Sequence, residues 1–330
     1  MLNTIKDNLL LKKESLKSRL FSSYKSPLAD RLIRHLGLKD VERVIHGKPD
    51  ALIVLTKDSV IRMPLDRLSA VRCRVNSRAL KALMRTSIAE FVPDVLEGGI
   101  FEGRLYYREE RLSGVAIDLP LSKMDEMVVK AADFITKFHQ ETARDIVIND
   151  ANFKRLFGRE FTRLYPYLND DYREKLARIE DKVKKAVIGK PLKTVWFHGD
   201  YKIENVLFDT KTWQIKGIID WDLSRKVGLP LLDIFYLLAY KETLAKKSVV
   251  DVFTERFSKQ DFTAFEKEII EKHITSLAIS TEFIEPLVVM FWINHVGLRY
   301  GIRPVEDKPA KSEWINKNVY DVINVILARS

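Results

Sequence analysis

The spacing of hydrophobic residues changes along the chain, and the first part alternates between helical and strand-like patterns. Residues 1–26 have Leu and Ile at helical spacing with Lys between them, which predicts a basic amphipathic helix. Short apolar runs between residues 41 and 65 are separated by Gly, Pro and a Lys-Asp pair, which is typical of an antiparallel meander. A helical pattern over residues 71–83 and two strand-like runs, 95–101 and 104–112, complete a predicted small α+β region.

Beyond Gly114 the pattern becomes mostly helical and stays so to the end of the sequence. One interruption, residues 193–219, contains two short apolar runs, a turn and a further strand-like run. These changes predict three parts: an N-terminal helix at 1–26, an N-terminal lobe at 27–112 and a helical C-terminal lobe at 113–330.

The composition is typical of a globular chain, since 46% of the 330 residues are hydrophobic and 31% are charged. The longest strongly apolar stretch, residues 284–293, is shorter than the ~20 residues that cross a bilayer. The N-terminal residues lack the pattern of a secretory signal, and a single cysteine, Cys73, excludes an intramolecular disulfide. We therefore expect a cytoplasmic protein.

The charge balance favours anionic partners. Lys and Arg number 56 and Asp and Glu 46, which gives a formal net charge of +10. The sequence has no helix-turn-helix, zinc-finger or RNP-like string, so nucleic acid is not an expected partner. Contact of residues 1–26 with an acidic membrane surface stays open beside packing of that helix on its own protein.

Polar residues with chemical potential cluster in the interruption of the helical region. His198, Asp200 and Asn205 follow the spacing H-x-D-x-x-x-x-N, which resembles that of the protein-kinase catalytic loop, where the Asp takes or orients the proton of a substrate hydroxyl and the Asn holds Mg²⁺. Asp220 follows the apolar run Gly-Ile-Ile, and a hairpin from Asn205 would return its carboxylate to the same point. Two oxygen ligands suit Mg²⁺, which keeps its other positions for phosphates and water, so the sequence predicts a metal–nucleotide site.

The strings HGDYKIENVLF and GIIDWD, followed by G-x-P-x-x-D, resemble the aminoglycoside phosphotransferase and choline kinase family, which shares its core with protein kinases. The resemblance implies an α+β, bilobal protein-kinase-like fold with a small, mainly antiparallel N-lobe and a larger, mainly helical C-lobe. It also implies Mg²⁺-dependent transfer of a phosphoryl group from ATP, or from GTP, to a hydroxyl of a small molecule.

The same resemblance assigns roles to residues of the interruption. Asp200 corresponds to the catalytic base, Asn205 and Asp220 to the Mg²⁺ ligands, and His198 to the residue that braces the catalytic loop. Lys202 could steady the charge of the transferring phosphoryl group, or could be an ordinary exposed lysine. Outside the interruption, Asp233 and His139 are expected to be structural.

The N-terminal lobe should bind the nucleotide. Arg62 stands where the family has a strand Lys or Arg that contacts phosphates, and the backbone near Glu110, Arg111 and Leu112 resembles the segment beside the adenine.

Two features of this lobe depart from the family pattern. The helix that usually supplies an acidic partner for the strand cation offers Asn76 or Ser77 instead, and only Gly47 stands in the expected phosphate loop. These departures keep a second hypothesis open, a catalytically weak pseudokinase or adaptor with the same fold.

The acceptor site is expected from the C-terminal helices, at residues 235–240 and 281–300. Because the chain carries a net charge of +10, we expect a neutral or anionic acceptor rather than a polycationic one, and a sugar or sugar derivative in particular. A third hypothesis, a basic protein that binds nucleic acid or a membrane surface, predicts affinity that falls steeply with salt.

Overall fold

The computed structural model describes residues 26–47, 50–116, 120–243, 247–300 and 313–329. The helix predicted for residues 1–26 and the middle of the expected phosphate loop therefore lie outside the described residues, apart from Ser26. The chain forms two compact units. One combines residues up to 131 with residues 198–225, and the other combines residues 132–197 with those from 226 onward.

The first unit is built on an antiparallel sheet with the strand order β1-β2-β3-β5-β4. Its strands are β1 (Val41–Gly47), β2 (Ala51–Thr56), β3 (Ser59–Pro64), β4 (Val95–Phe101) and β5 (Arg104–Glu110). In the register of β3 with β5, Ile61 pairs with Arg108 and Arg62 with Tyr107. Because side chains alternate across a pleated strand, Ile61 and Arg62 lie on opposite faces of the sheet.

One face of this sheet is apolar and packs against helix α1 (Pro27–His35). Leu52, Val54, Ile61 and Met63 are almost fully buried there, together with Leu32 of the helix. The other face carries Arg62 and Tyr107 and lies against helix α2 (Arg67–Leu83). A capping box formed by Asp66 and Ser69 begins α2 several residues before the predicted start.

The predicted hairpin also belongs to the first unit. Strands β8 (Val206–Phe208) and β9 (Ile215–Ile218) pair antiparallel, with Val206 opposite Ile218. Asp209 closes the turn, since its carboxylate accepts hydrogen bonds from the backbone of Lys211 and Thr212. The two ends of the hairpin therefore meet beside residues 205 and 219.

The second unit is mainly helical. Its three-stranded sheet has the order β10-β7-β6, formed by β6 (Arg144–Val147), β7 (Pro191–Phe197) and β10 (Arg225–Gly228). Its helices are α4 (Asp150–Phe153), α5 (Arg159–Thr162), α6 (Asp170–Val187), α7 (Leu232–Thr243), α8 (Val249–Glu255), α9 (Ala264–Ser276), α10 (Ile284–Tyr300) and α11 (Asp321–Leu327). Helix α3 (Met124–Thr142) contains the boundary between the units at residue 131.

An antiparallel N-terminal region and a helical C-terminal region confirm the predicted α+β fold class. Helices α4 and α5 are joined through a π-helical turn at residues 154–158, and the helical segment ends at Thr162, before a 3-10 turn at Tyr165–Tyr167. Among the helices described, none is by itself both long and apolar enough to cross a membrane, and one bent pair passes that test by length and composition only.

Candidate active site

His198 connects the two segments that carry the predicted catalytic and metal-binding residues. Its ring is fully buried, and its Nε2 lies 3.0 Å from the carbonyl oxygen of Ile219. The backbone N–H of Asp200 donates to Nδ1 of His198 at 3.2 Å, and the ring lies against Trp221 at 4.4 Å between centroids. His198 thus fixes the start of the catalytic loop to the residue that precedes Asp220.

Gly199 allows the sharp turn between His198 and Asp200. Its φ of +93° lies in the region that favours glycine, and a Cβ at this position would lie 2.6 Å from the carbonyl oxygen of Leu223. Because that neighbour is backbone, a side chain at 199 could not be accommodated by a rotamer change. The turn therefore depends on glycine at this position.

Asp200, Lys202 and Asn205 form one contact group in the predicted catalytic loop. Nδ2 of Asn205 donates to the backbone oxygen of Asp200 at 2.8 Å and to its Oδ2 at 3.3 Å. Nζ of Lys202 lies 3.0 Å from the same Oδ2. With its nitrogen engaged in this way, Asn205 has its amide oxygen left as the atom that could bind a metal.

Asp220 stands at the other end of the hairpin, in a left-handed backbone conformation with φ 69° and ψ 49°. The N–H of Ile219 donates to the carbonyl oxygen of Asn205 at 3.0 Å. Asn205 therefore lies opposite Ile219, the residue directly before Asp220. The structure thus brings the catalytic loop and Asp220 to the same end of the hairpin, as the sequence predicts.

Arg62 reaches this group from strand β3. Its Nη1 donates to Oδ1 of Asp220 at 3.1 Å, and its Nε donates to Oε1 of Glu109 at 2.8 Å. Asn76 on α2 donates from Nδ2 to Oε2 of Glu109 at 3.1 Å and to the hydroxyl of Tyr107 at 2.6 Å. The acidic partner that the sequence does not offer on the helix is therefore supplied by β5.

Sequence reasoning missed Glu109, although the strand pattern contained a signal for it. Tyr107 stands directly opposite Arg62, and Glu109 is two residues further along β5, so Glu109 is a diagonal neighbour on the same face. Recognising this required the register of β3 with β5, which pairs strands more than forty residues apart.

Burial and charge act in opposite directions on the titratable groups here. Burial lowers the pKa of Arg62, but the charges of Glu109 and Asp220 raise it well above its ordinary value. Burial raises the pKa of Glu109 above its usual range, with Arg62 opposing the shift. For Asp220, burial raises the pKa, yet Arg62 and Lys202 outweigh it and lower the pKa below its ordinary value.

Asp222 adds a further carboxylate close to Asp220. Burial and then the charge of Asp220 raise the pKa of Asp222 to about 7, although Nη1 of Arg72 on α2 lies 3.3 Å from its Oδ2. The repulsion between neighbouring carboxylates is the situation that a divalent cation relieves. The sequence analysis gave Asp222 and Arg72 no role.

These donors fit the magnesium ion that the sequence implies. Mg²⁺ is typically bound by one or two carboxylates together with substrate phosphates, rather than by a cage of protein ligands. Within the described part of the chain no group of three or more His, Cys, Asp or Glu side chains could hold a metal. Asp220 and Asn205 supply the carboxylate and amide oxygens that such an ion prefers.

The segment expected beside the adenine follows β5. The backbone N–H of Glu110 donates to Asp94 at 2.8 Å and that of Arg111 to Asp58 at 2.9 Å, so both are used by the sheet. The side chain of Leu112 packs directly on Gly217, where any Cβ would collide with it.

The Arg111 side chain points elsewhere. Its Nη1 donates to the backbone oxygen of Thr56 and to the carboxylate of Glu42, which ties it to the sheet. A role for Arg111 in nucleotide binding would therefore have to come from its backbone.

The segments expected to bind the acceptor lie in the second unit. Trp292 and Asn294 are buried in its core, where Asn294 accepts a hydrogen bond from the hydroxyl of Tyr236. Glu282 and Glu285 are at the surface and form ion pairs with Lys190 at 2.6 Å and with Lys182 at 2.8 Å. These contacts favour structural roles for those four residues.

The chain was compared with known protein families, and a model of the phosphotransferase enzyme family matches residues 56–265. No curated protein sequence matches the chain.

Solved structures give the same fold at low sequence identity. ADP-bound aminoglycoside phosphotransferase APH(2'')-Ib is 15% identical with a TM-score of 0.55, and the match covers 92% of this chain and 98% of that one. The streptomycin–ATP complex of APH(2'')-IIa is 14% identical with a TM-score of 0.55, covering 92% and 99%. APH(3'')-Id from Streptomyces rimosus, in complex with ADP and streptomycin, is 16% identical with a TM-score of 0.53, covering 83% and 99%.

Proposed function

Because the chain belongs to the phosphotransferase enzyme family, we propose that it transfers the γ-phosphoryl group of ATP, or alternatively GTP, to a hydroxyl of a small molecule with Mg²⁺. The observation that supports this most is the meeting of Asp200, Asn205 and Asp220 at one end of a hairpin, with Arg62 bound to Asp220. A pseudokinase is disfavoured because the catalytic carboxylate and both metal-binding groups are present together.

Asp200 is the group that would accept the proton of the acceptor. Its carboxylate is partly exposed and bonded to Lys202 and Asn205, so it is held in one orientation while one side remains accessible. The acceptor oxygen forms a bond to the γ-phosphorus, the bond from that phosphorus to the nucleoside diphosphate breaks, and the hydroxyl proton passes to Asp200.

The cationic side chains would stabilise phosphate charge. The guanidinium of Arg62 can bind phosphate oxygens in a bidentate manner, and Lys202 lies beside Asp200, where the transferring group would pass. A magnesium ion held by Asp220 and Asn205 would neutralise further charge on the phosphates.

The acceptor is proposed to be a sugar or sugar derivative, neutral or anionic. Two facts support this: the net charge of +10, and the ion pairs that already occupy Glu282 and Glu285. The structurally similar proteins are aminoglycoside phosphotransferases, so a polycationic aminoglycoside is the second candidate. Incubation with ATP and with GTP across sugars, amino alcohols and aminoglycosides would separate them, with phosphorylated product measured by mass.

The substitution Asp200→Asn tests the proposed reaction. We expect the rate of phosphoryl transfer to fall by about 10²- to 10⁴-fold, because the proton acceptor is removed, while stabilisation by Mg·nucleotide in a thermal shift assay is retained. The matched control is Asp145→Asn, an exposed carboxylate paired with Lys193, which should leave the rate unchanged. Full transfer by Asp200→Asn, or a wild-type protein stabilised by neither nucleotide, would contradict the proposal.

A further inference from the structure

We propose that Glu109 is a positioning residue that orients Arg62 toward the nucleotide phosphates, and that Asn76 holds Glu109 in place. This inference rests on the proposed function, since it concerns how the same site binds the phosphoryl donor. In the family pattern the acid that pairs with the strand cation lies on the helix that corresponds to α2. Here we assign that role to Glu109 on strand β5.

The bonding pattern of the Arg62 guanidinium carries this inference. Glu109 accepts from Nε at 2.8 Å, whereas Asp220 accepts from Nη1 at 3.1 Å. The Nε side of the planar group is thereby fixed at the sheet, and its Nη1 contacts Asp220 at the hairpin end. With Nε bonded to Glu109 and one N–H of Nη1 to Asp220, the guanidinium has three further N–H groups that can donate to phosphate oxygens.

The burial of Arg62 and Glu109 explains why each of these charged groups needs the other as a partner. The Glu109 side chain is 3% exposed and that of Arg62 is 20% exposed, so solvent screens the pair only weakly. A buried carboxylate is costly unless it is paired and hydrogen-bonded, and Glu109 has both Arg62 and Asn76 as partners. Glu109 therefore serves a specific contact here and does not act as general surface charge.

Asn76 shows how helix α2 still contributes. It is 2% exposed, and its Nδ2 donates to both Glu109 and Tyr107. The amide cannot neutralise Arg62, but it can donate to the second oxygen of Glu109 and so fix the carboxylate plane. An acid at position 76 would instead place two carboxylates side by side, so Asn76 and Glu109 suit each other.

This arrangement predicts an effect confined to ligands with phosphates. Dissociation constants for Mg·ATP and for adenosine would be measured by calorimetry with wild-type protein, Glu109→Gln, Arg62→Ala and the double variant. We expect Glu109→Gln to weaken Mg·ATP binding by about tenfold to a hundredfold, the usual effect of losing one charge-assisted bond, and to leave adenosine binding unchanged. If Mg·GTP is the ligand that binds, guanosine replaces adenosine.

The double variant separates positioning from a direct contact with the ligand. If Glu109 acts only through Arg62, its substitution should add no further loss in the Arg62→Ala background. Moving the acid, in the variant Glu109→Gln, Asn76→Glu, should restore part of the Mg·ATP affinity, because position 76 also faces this cluster. Glu97→Gln, an exposed acid on β4 of the same sheet, is the matched control.

The outcomes distinguish this proposal from the proposed function. Equal losses for Mg·ATP and adenosine, or losses from Arg62→Ala and Glu109→Gln that multiply, would overturn the positioning role alone. Wild-type protein that binds neither nucleotide would overturn both. Should Glu109→Gln fail to fold, the double variant Glu109→Gln, Asn76→Glu is compared with wild type directly. Retained Mg·ATP affinity supports the positioning role of Glu109, and loss of that affinity overturns it.

Discussion

Each of the two compact units contains a buried polar cluster, and the two clusters differ in charge and in access to solvent. In the first unit Arg62 bridges Glu109 and Asp220, and the Asp220 side chain is 38% exposed. In the second unit His139 and Asp233 contact each other at 3.2 Å, and both side chains are 0% exposed.

The comparison shows how a site differs from a core contact. The first cluster places two carboxylates, Asp220 and Asp222, close together and leaves Asp220 partly exposed. The charge of Asp220 raises the pKa of Asp222, and a bound cation would relieve the repulsion between the two carboxylates.

In the second cluster, His139 of helix α3 contacts Asp233 of α7. Thr136 of the same helix contacts His273 of α9 at 2.8 Å. We propose that charge in the first, open cluster, which comprises Arg62, Glu109, Asp220 and Asp222, serves ligand binding. Hydrogen bonds in the second, closed cluster, which comprises His139, Asp233, Thr136 and His273, serve stability.

The largest expected effect comes from Asp220→Asn in the open cluster. We expect the rate of phosphoryl transfer to fall by about a thousandfold, because the carboxylate that would hold Mg²⁺ beside the phosphates is removed. The thermal unfolding midpoint should change little, since the lost repulsion with Asp222 offsets the lost ion pair with Arg62. A variant that loses its rate only in proportion to lost folded protein would show that the open cluster is structural.

In the closed cluster, Asp233→Ala should lower the free energy of unfolding by about 3 kcal/mol, because it leaves a buried nitrogen of His139 without its carboxylate. Chemical denaturation measures this effect, and the rate per folded molecule should change less than in Asp220→Asn. Asp261→Ala, an exposed residue of the same unit, serves as the control and should leave stability unchanged. If Asp233→Ala were as stable as wild type, the stabilising role of the His139–Asp233 contact would be contradicted.

The smallest effect is a pH dependence of stability that comes from His273. Burial, and then the charge of His139, lowers the pKa of His273 well below 6.5, so the folded protein holds this ring neutral. The unfolded chain takes up the proton as the pH falls below 6.5, and stability is therefore lost in that range, by up to about 1.4 kcal/mol per pH unit.

Substitution of His273 isolates this contribution. The variant His273→Asn should unfold with a smaller dependence on pH below neutrality, as measured by denaturation at a series of pH values, whereas the exposed His35→Asn should keep the wild-type slope. Equal slopes in wild type and His273→Asn would show that the ring is not held neutral.

The elements of this fold that depend on local pattern could be predicted from the sequence. Alternating apolar runs predicted the antiparallel sheet, and the hairpin after Asn205 was predicted to return to Asp220. The π-helical turn at residues 154–158 could not be predicted, because the helical pattern continues on both sides of it.

The motif H-x-D-x-x-x-x-N and the carboxylate at Asp220 are present in the residue order itself, so the sequence alone determined the candidate residues of this site and the fold class that holds them. Only the tertiary structure decided that Glu109 pairs with Arg62 and that Arg72 faces Asp222. The reason is physical: strand register and helix packing set these contacts between residues distant in the chain, and no local spacing encodes which side chains meet.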